Sequence, residues 1–184
     1  MEQSTQDYRS FLAGNPNGLS NIIRDHKDGL ILYLNGFVEN LTIAEELTEE
    51  VFVKLVLKRP RFRSESSFKT WLYAIGRNMA LSYLRRHKHM QIPLEHCPDL
   101  PDETTYLEQS YIYKEERQVL HNTMQNLKME YRQVLWLIYF EGFSHKEVAS
   151  IMGKTVHNVE TLVYRARQSL KTKLLEEGFV HEKL

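Results

Sequence analysis

The side chains best suited to do chemistry lie just after Gly153. Thr155, His157, Asn158, Glu160, Thr161, Tyr164, Arg165 and Arg167 form a set rich in hydrogen-bond donors and acceptors. If Val159 and Leu162 anchor a helix from below, then His157, Asn158, Glu160, Thr161, Tyr164 and Arg165 stand on its outward side. Such groups match base edges in a major groove: Asn pairs with adenine, Arg with guanine or a phosphate, and Glu accepts from cytosine, each good bidentate contact discriminating by about 1–3 kcal/mol. Thr155 suits the N-cap, where free backbone N–H groups also favour a phosphate. Arg167, Lys171 and Lys173 read as phosphate contacts or solvated charges. Bond-making chemistry has less support. No Ser/His/Asp grouping, phosphate-cradling Gly loop or dinucleotide fingerprint occurs. His87, His89, His96 and Cys97 are near one another but lack the paired spacing of a zinc site, so neither metal nor cofactor is expected.

Readers of this kind need a rigid mount, and the preceding residues predict one. Val148 and Ala149 lie on a first helix that Met152 closes, and Gly153 makes the turn into the second. The small Ala149 lets two helices cross closely. The result is a helix-turn-helix whose second helix fits a major groove.

Upstream, apolar residues recur at helical spacing. Leu19, Ile22, Ile23, Leu30, Leu34 and Phe37 mark one helix, despite Gly29 and Gly36. Another runs from about Ile43 to Leu57, with Leu47, Val51, Leu55 and Val56 on its apolar side, and Pro60 stops it. A polar loop RFRSESS follows, in which Ser66 or Ser67 suits the N-cap of a helix from about Ser67 to Arg86. Phe68, Trp71, Leu72, Ile75, Met79 and Tyr83 form its stripe, which assigns Trp71 to the core rather than to base stacking. No segment alternates as a strand. The expected fold is all-α: two helical domains, 1–90 and 113–184, joined by a flexible acidic linker at 91–112 that holds Pro93, Pro98 and Pro101.

Charge is zoned along the chain. The formal net charge is zero, yet residues 54–90 hold 10 Lys and Arg against 1 acidic residue, while 1–53 hold 3 against 9. A basic zone of that contrast is a footprint for a polyanion or a solvated surface, and the helix-turn-helix downstream favours nucleic acid. The polar start MEQSTQDYRS lacks a signal-peptide core, no apolar run is long enough to span a bilayer, and a single cysteine precludes an internal disulfide framework. These features predict a cytoplasmic protein with no membrane partner.

Two segments, in order, carry a resemblance. AEELTEEVFVKLV followed by FRSESSFKTWLYAIGRNMALSYLRRHK resembles region 2 of the extracytoplasmic-function (ECF) sigma factors, and EGFSHKEVASIMGKTVHNVETLVYRAR resembles their region 4. The resemblance implies a dissociable, non-catalytic subunit that binds core RNA polymerase at the largest-subunit clamp and at the flap, recognises upstream (minus 35) and start-proximal (minus 10) promoter elements, and assists melting. It implies clamp contacts by Glu45, Glu46, Glu49 and Glu50, with Phe52 shaping that surface. It implies a pocket for a flipped base formed by Arg63, Ser64, Glu65 and Ser66 with Asn78, and backbone contacts to melted DNA by Arg77, Arg85, Arg86 and Lys88. The acidic linker matches the segment that threads toward the polymerase active site. Whether an anti-sigma protein restrains the factor is left open. Several positions depart from the family pattern: Ile43, Glu49, Lys154, Glu160 and Leu162 stand where other residue types are commoner.

Two rivals predict different behaviour. A stand-alone helix-turn-helix repressor would dimerise and bind duplex tightly by itself, and would leave the basic loop and helix at 61–88 unexplained. A small nuclease would need carboxylates facing the basic surface, but residues 54–90 hold only Glu65.

Overall fold

A computed structural model of the chain describes residues 3–63, 65–87, 120 and 122–176, and among these the regular structure is helical throughout. The elements are α1 (Gln3–Leu12), α2 (Pro16–Val38), α3 (Leu41–Lys58), α4 (Phe68–His87), α5 (Met129–Leu135), α6 (His145–Met152) and α7 (Val156–Glu176). The predicted linker at 91–112 lies outside the described residues, as do Lys88, His89, His96, Cys97 and Ser64.

Local chemistry sets the helix ends. Asn15 caps α2 by accepting from the Asn17 N–H at 3.0 Å, and Pro16 fills the first helical position, where its missing N–H costs nothing. At Glu39 the chain turns left-handed (φ 51°), and Asn40 at once caps α3 by accepting from the Ile43 N–H. One residue thus reverses the chain, so α2 and α3 pack side by side. Arg59 ends α3 in the same conformation (φ 42°), ahead of Pro60. Ser67 caps α4, its hydroxyl accepting from the Thr70 N–H at 3.1 Å.

α1 is an addition to the sequence reading. Its polar composition hides Tyr8 and Phe11, which are buried against α2 and α4. Tyr8 stacks near Phe68 and Trp71, and its hydroxyl donates to the Pro60 carbonyl at 2.7 Å. Trp71 lies half-buried in this aromatic cluster with Phe62, as core residues do. Around it Ile22, Leu30, Leu34, Val51, Leu55, Phe68 and Leu72 are fully enclosed, each such side chain stabilising by about 1.5–3 kcal/mol. On α3 the apolar side needs correction: Ala44 and Phe52 are buried, whereas Val56 is exposed.

The C-terminal elements form a smaller core of Val134, Leu137, Val148, Val159 and Ala166. α5 runs directly into one wide π-helical turn, Trp136–Phe140, closed by the Glu141 N–H donating to the Trp136 carbonyl. This core rests on the N-terminal bundle, with α6 against α4 and α5 against α2. Phe143 meets Tyr73 edge-on across that contact at 5.1 Å.

Candidate nucleic-acid interface

The duplex-reading helix is built from its cap upward. Ser144 opens α6 with a reciprocal capping box: its hydroxyl accepts from the Glu147 N–H, and the Glu147 carboxylate accepts from the Ser144 N–H at 2.9 Å. α6 then buries Val148, Ala149, Ile151 and Met152. Gly153 makes the turn at φ 64°, a conformation that strains any L side chain, and the Lys154 N–H closes it on the Ala149 carbonyl. Thr155 caps α7, its hydroxyl accepting from the Asn158 N–H at 3.2 Å. Lys154 is committed to an ion pair with Glu130 at 3.1 Å, which ties the turn to α5 and accounts for a Lys at this unusual position.

Beneath α7 the floor is Val159, Val163 and Ala166, with Leu162 only partly covered. The sequence reading chose Leu162 and passed over Val163 and Ala166. Above it, Thr155, His157, Asn158, Glu160, Tyr164, Arg165 and Arg167 are exposed. Thr161 differs. It is half-buried, and its hydroxyl donates back to the His157 carbonyl at 3.1 Å, so it can offer a base its methyl group or an acceptor lone pair but not its proton. The turn of about 100° per residue sets His157, Thr161, Tyr164 and Gln168 along the outermost stripe, with Asn158 and Arg165 on one flank and Glu160 and Arg167 on the other. Gln168, exposed in the middle of that stripe, was missed because it falls just after the most polar stretch. Among the described residues Arg165 and Arg167 enter no ion pair.

The second group of candidates is less compact. Arg63 and Glu65 are exposed and Ser66 is half-buried in the loop before α4, while Ser64 lies outside the described residues. Asn78 is exposed, about 16 Å further along the helix axis than Ser67 by the helical rise. Arg77 is half-buried, with its Nε enclosed and without a hydrogen-bond partner among the described residues. Arg85 and Arg86 are exposed on the last turn of α4, with Arg85 donating to Ser82 Oγ at 3.0 Å. His87 stacks on Tyr83 at 3.9 Å, and among the described residues no group of three His, Cys, Asp or Glu could hold a metal ion.

On α3, Glu45, Glu46, Glu49 and Glu50 are all exposed, and none enters an ion pair among the described residues. They begin one turn into the helix, whose first turn holds no acid, so the helix dipole does little for them. Phe52 is buried. It floors an apolar groove between α2 and α3 that Leu19, Ile23, Val53, Val56 and Leu57 also line, with Leu57 73% exposed. This groove was not foreseen, because Val53 and Leu57 look like ordinary members of a helix stripe. No helix among the described residues is long and apolar enough to cross a membrane.

Comparison with known proteins places this geometry. Residues 22–90 match the family model of sigma-70 region 2, and residues 117–170 match that of sigma-70 region 4. The chain is 29% identical over 164 residues to the RNA polymerase sigma factor YlaC of Bacillus subtilis, covering 86% of this chain and 95% of that one. It is 30% identical over 139 residues to the ECF RNA polymerase sigma-E factor of Haemophilus influenzae, covering 70% of this chain and 73% of that one. Among solved structures, the fold is shared with the sigma factor RpoE of Bartonella quintana, crystallised with the anti-sigma factor NepR (TM-score 0.68, 24% identity, 84% of this chain and 95% of that one). It is shared too with CnrH in complex with the cytosolic domain of CnrY (TM-score 0.64, 20% identity, 95% and 96%).

Proposed function

Because the chain belongs to the extracytoplasmic-function sigma factors of RNA polymerase, we propose that it works as a promoter-specificity subunit whose two halves engage one promoter in two states. It binds core RNA polymerase and directs transcription initiation, and it makes or breaks no bond itself. The C-terminal half reads intact duplex upstream through the exposed side chains of α7. The N-terminal half holds separated strands near the start site through Arg63, Glu65 and Ser66, with Arg85 and Arg86 on the backbone further along α4. The length of α4 separates the loop from Arg85 and Arg86, with Asn78 between them.

One observation carries this reading: the chain pairs a polar, partly basic helix face suited to DNA with an acidic face that DNA repels. Four carboxylates on α3 that enter no ion pair among the described residues call for a protein partner with basic residues, and the groove floored by Phe52 supplies an apolar seat beside them. The polymerase clamp is that partner, and the flap receives the C-terminal half. The solved neighbours bound to NepR and CnrY support a further partner, an anti-sigma protein that competes with polymerase. A stand-alone repressor has no use for the acidic face or its groove.

Transcription with purified core polymerase tests the proposal. Promoter-specific transcripts are expected only when the chain is added, and the charge reversal of Glu45, Glu46, Glu49 and Glu50 to Lys should abolish them by abolishing the polymerase complex. No transcript from any member of a promoter library would overturn it.

A further inference from the structure

α1 carries none of the candidate contacts with DNA or polymerase, yet it fastens the chain that carries one of them. It is seated firmly on α2. Asp7 accepts from Asn21 Nδ2 at 3.0 Å, and Ser4 Oγ lies 2.9 Å from His26 Nε2. A Cβ on Gly18 would collide with the Asp7 carbonyl, so the two backbones approach directly there. From this seat Tyr8, 1% exposed, reaches the segment that follows α3. Its hydroxyl donates to the Pro60 carbonyl at 2.7 Å. Burial pushes that hydroxyl up to about 12, so near neutral pH it keeps its proton and remains a donor.

The arm 59–63 is tied down residue by residue. Arg59 turns left-handed (φ 42°) at the end of α3, and its guanidinium lies 5.6 Å from the centre of the Phe11 ring of α1. Pro60 is held by Tyr8. Phe62 is half-buried, edge-on to Phe68 at 5.7 Å and 5.3 Å from Trp71, and the Tyr8 ring lies 5.2 Å and 5.5 Å from the same rings. Phe62 therefore enters the aromatic cluster, while its neighbours Arg61 and Arg63 are exposed and enter no ion pair among the described residues. Arg61 was passed over in the sequence because it stands just outside the polar run that begins at Arg63.

We infer that Tyr8 is a positioning residue for the parted strand: through the Pro60 carbonyl and the aromatic cluster it fixes the arm 59–63, so that Arg61 joins Arg63 in presenting guanidinium groups to the DNA backbone. This rests on the proposed function for the identity of the DNA. An irregular segment without such ties would have to be ordered when DNA binds, at a cost in affinity. Here folding has already met that cost, because α1 and the cluster hold the backbone between the two arginines in place. Phosphate contacts of this kind hold the strand without reading its sequence.

The test uses the full chain with core polymerase on a promoter that the pair opens. The lifetime of the open complex after a heparin challenge reads how firmly the parted strand is held. Tyr8→Phe removes one hydroxyl and keeps the ring; it should shorten that lifetime about fivefold, the factor corresponding to the net worth of one hydrogen bond. Phe62→Leu should shorten it too, with the Tyr8 hydroxyl in place. Ser4→Ala loosens α1 from α2 away from the arm and should change the lifetime little. A double-mutant cycle separates positioning from general stability: in a chain that already carries Arg61→Ala and Arg63→Ala, adding Tyr8→Phe should shorten the lifetime by less than about twofold. The full loss on that background, no loss in the parent background, or an equal loss from Ser4→Ala would overturn the proposal. A second readout needs no polymerase. Trypsin should cleave after Arg61 and Arg63 several-fold faster in Tyr8→Phe than in the parent, with the sites identified by mass spectrometry. Unchanged cleavage, or a rise at every site alike, would overturn it as well. A parent that never forms an open complex would count against the proposed function, and the cleavage rates alone would then decide whether Tyr8 holds the arm.

Discussion

Arg165 is the reader with the clearest prospects on α7: exposed, without an ion pair among the described residues, and on the same flank as Asn158. Arg165→Ala should reduce discrimination at the upstream element by about 1–3 kcal/mol, with the polymerase complex intact; competition between promoter variants in run-off transcription measures the first, and co-elution the second. Loss of the complex would mean that the side chain belongs to an interface with polymerase. Glu147 makes a different prediction. Burial pushes its carboxyl up, but hydrogen bonds from Ser144, Thr70 and Ser67 outweigh that and hold it below the ordinary 4.5. A lowered folded value means that its contribution is complete above the ordinary value and vanishes as the pH falls through the folded one. Glu147→Gln should therefore cost about 1 kcal/mol at neutral pH, the usual worth of a cap, and the gap between parent and variant in urea denaturation should close under acid. A gap independent of pH would show that the carboxylate's charge contributes nothing.

At the scale of elements, much of the architecture was legible. The turn glycine, the small Ala149 and the apolar pair Val148 and Met152 mark the helix-turn-helix by residue type alone, and α2 to α4 follow their stripes to within a few residues. What escaped has physical reasons. α1 was hidden because its two buried aromatics sit among polar neighbours, and even its polar Ser4 and Asp7 are covered by α2. The roles of Val56 and Phe52 were reversed because a helix stripe wide enough for two neighbours cannot reveal which edge faces solvent. The capping box at Ser144 and Glu147 could have been read from its spacing, but the additional bonds of Glu147 to Ser67 and Thr70 could not, since those partners are 80 and 77 residues distant in the chain. Gly36 offers a check on the helix reading. It lies within α2 with open space where a Cβ would stand. Gly36→Ala should stabilise the chain by about 0.5–1 kcal/mol, raising Tm by a few degrees, whereas a fall would mean that the position is not regular helix.

For the whole molecule, the distribution of charge says more than its zero sum. Acidic α3, the basic end of α4 and the mixed polar face of α7 are three surfaces for different partners: a protein, parted strands and intact duplex. Ion pairs between Arg132 and Glu39 and between Lys69 and Glu141 join the halves in the free chain. The account therefore requires that productive DNA contacts by both halves depend on polymerase. The most direct measurement is a footprint on one promoter with the chain alone, core polymerase alone, and both together. The two together should protect the upstream duplex from nuclease and make start-proximal thymines reactive to permanganate, while neither component does so by itself. Strong upstream protection by the chain alone, unchanged by polymerase and without reactive thymines, would contradict the account and leave an ordinary duplex-binding repressor in its place.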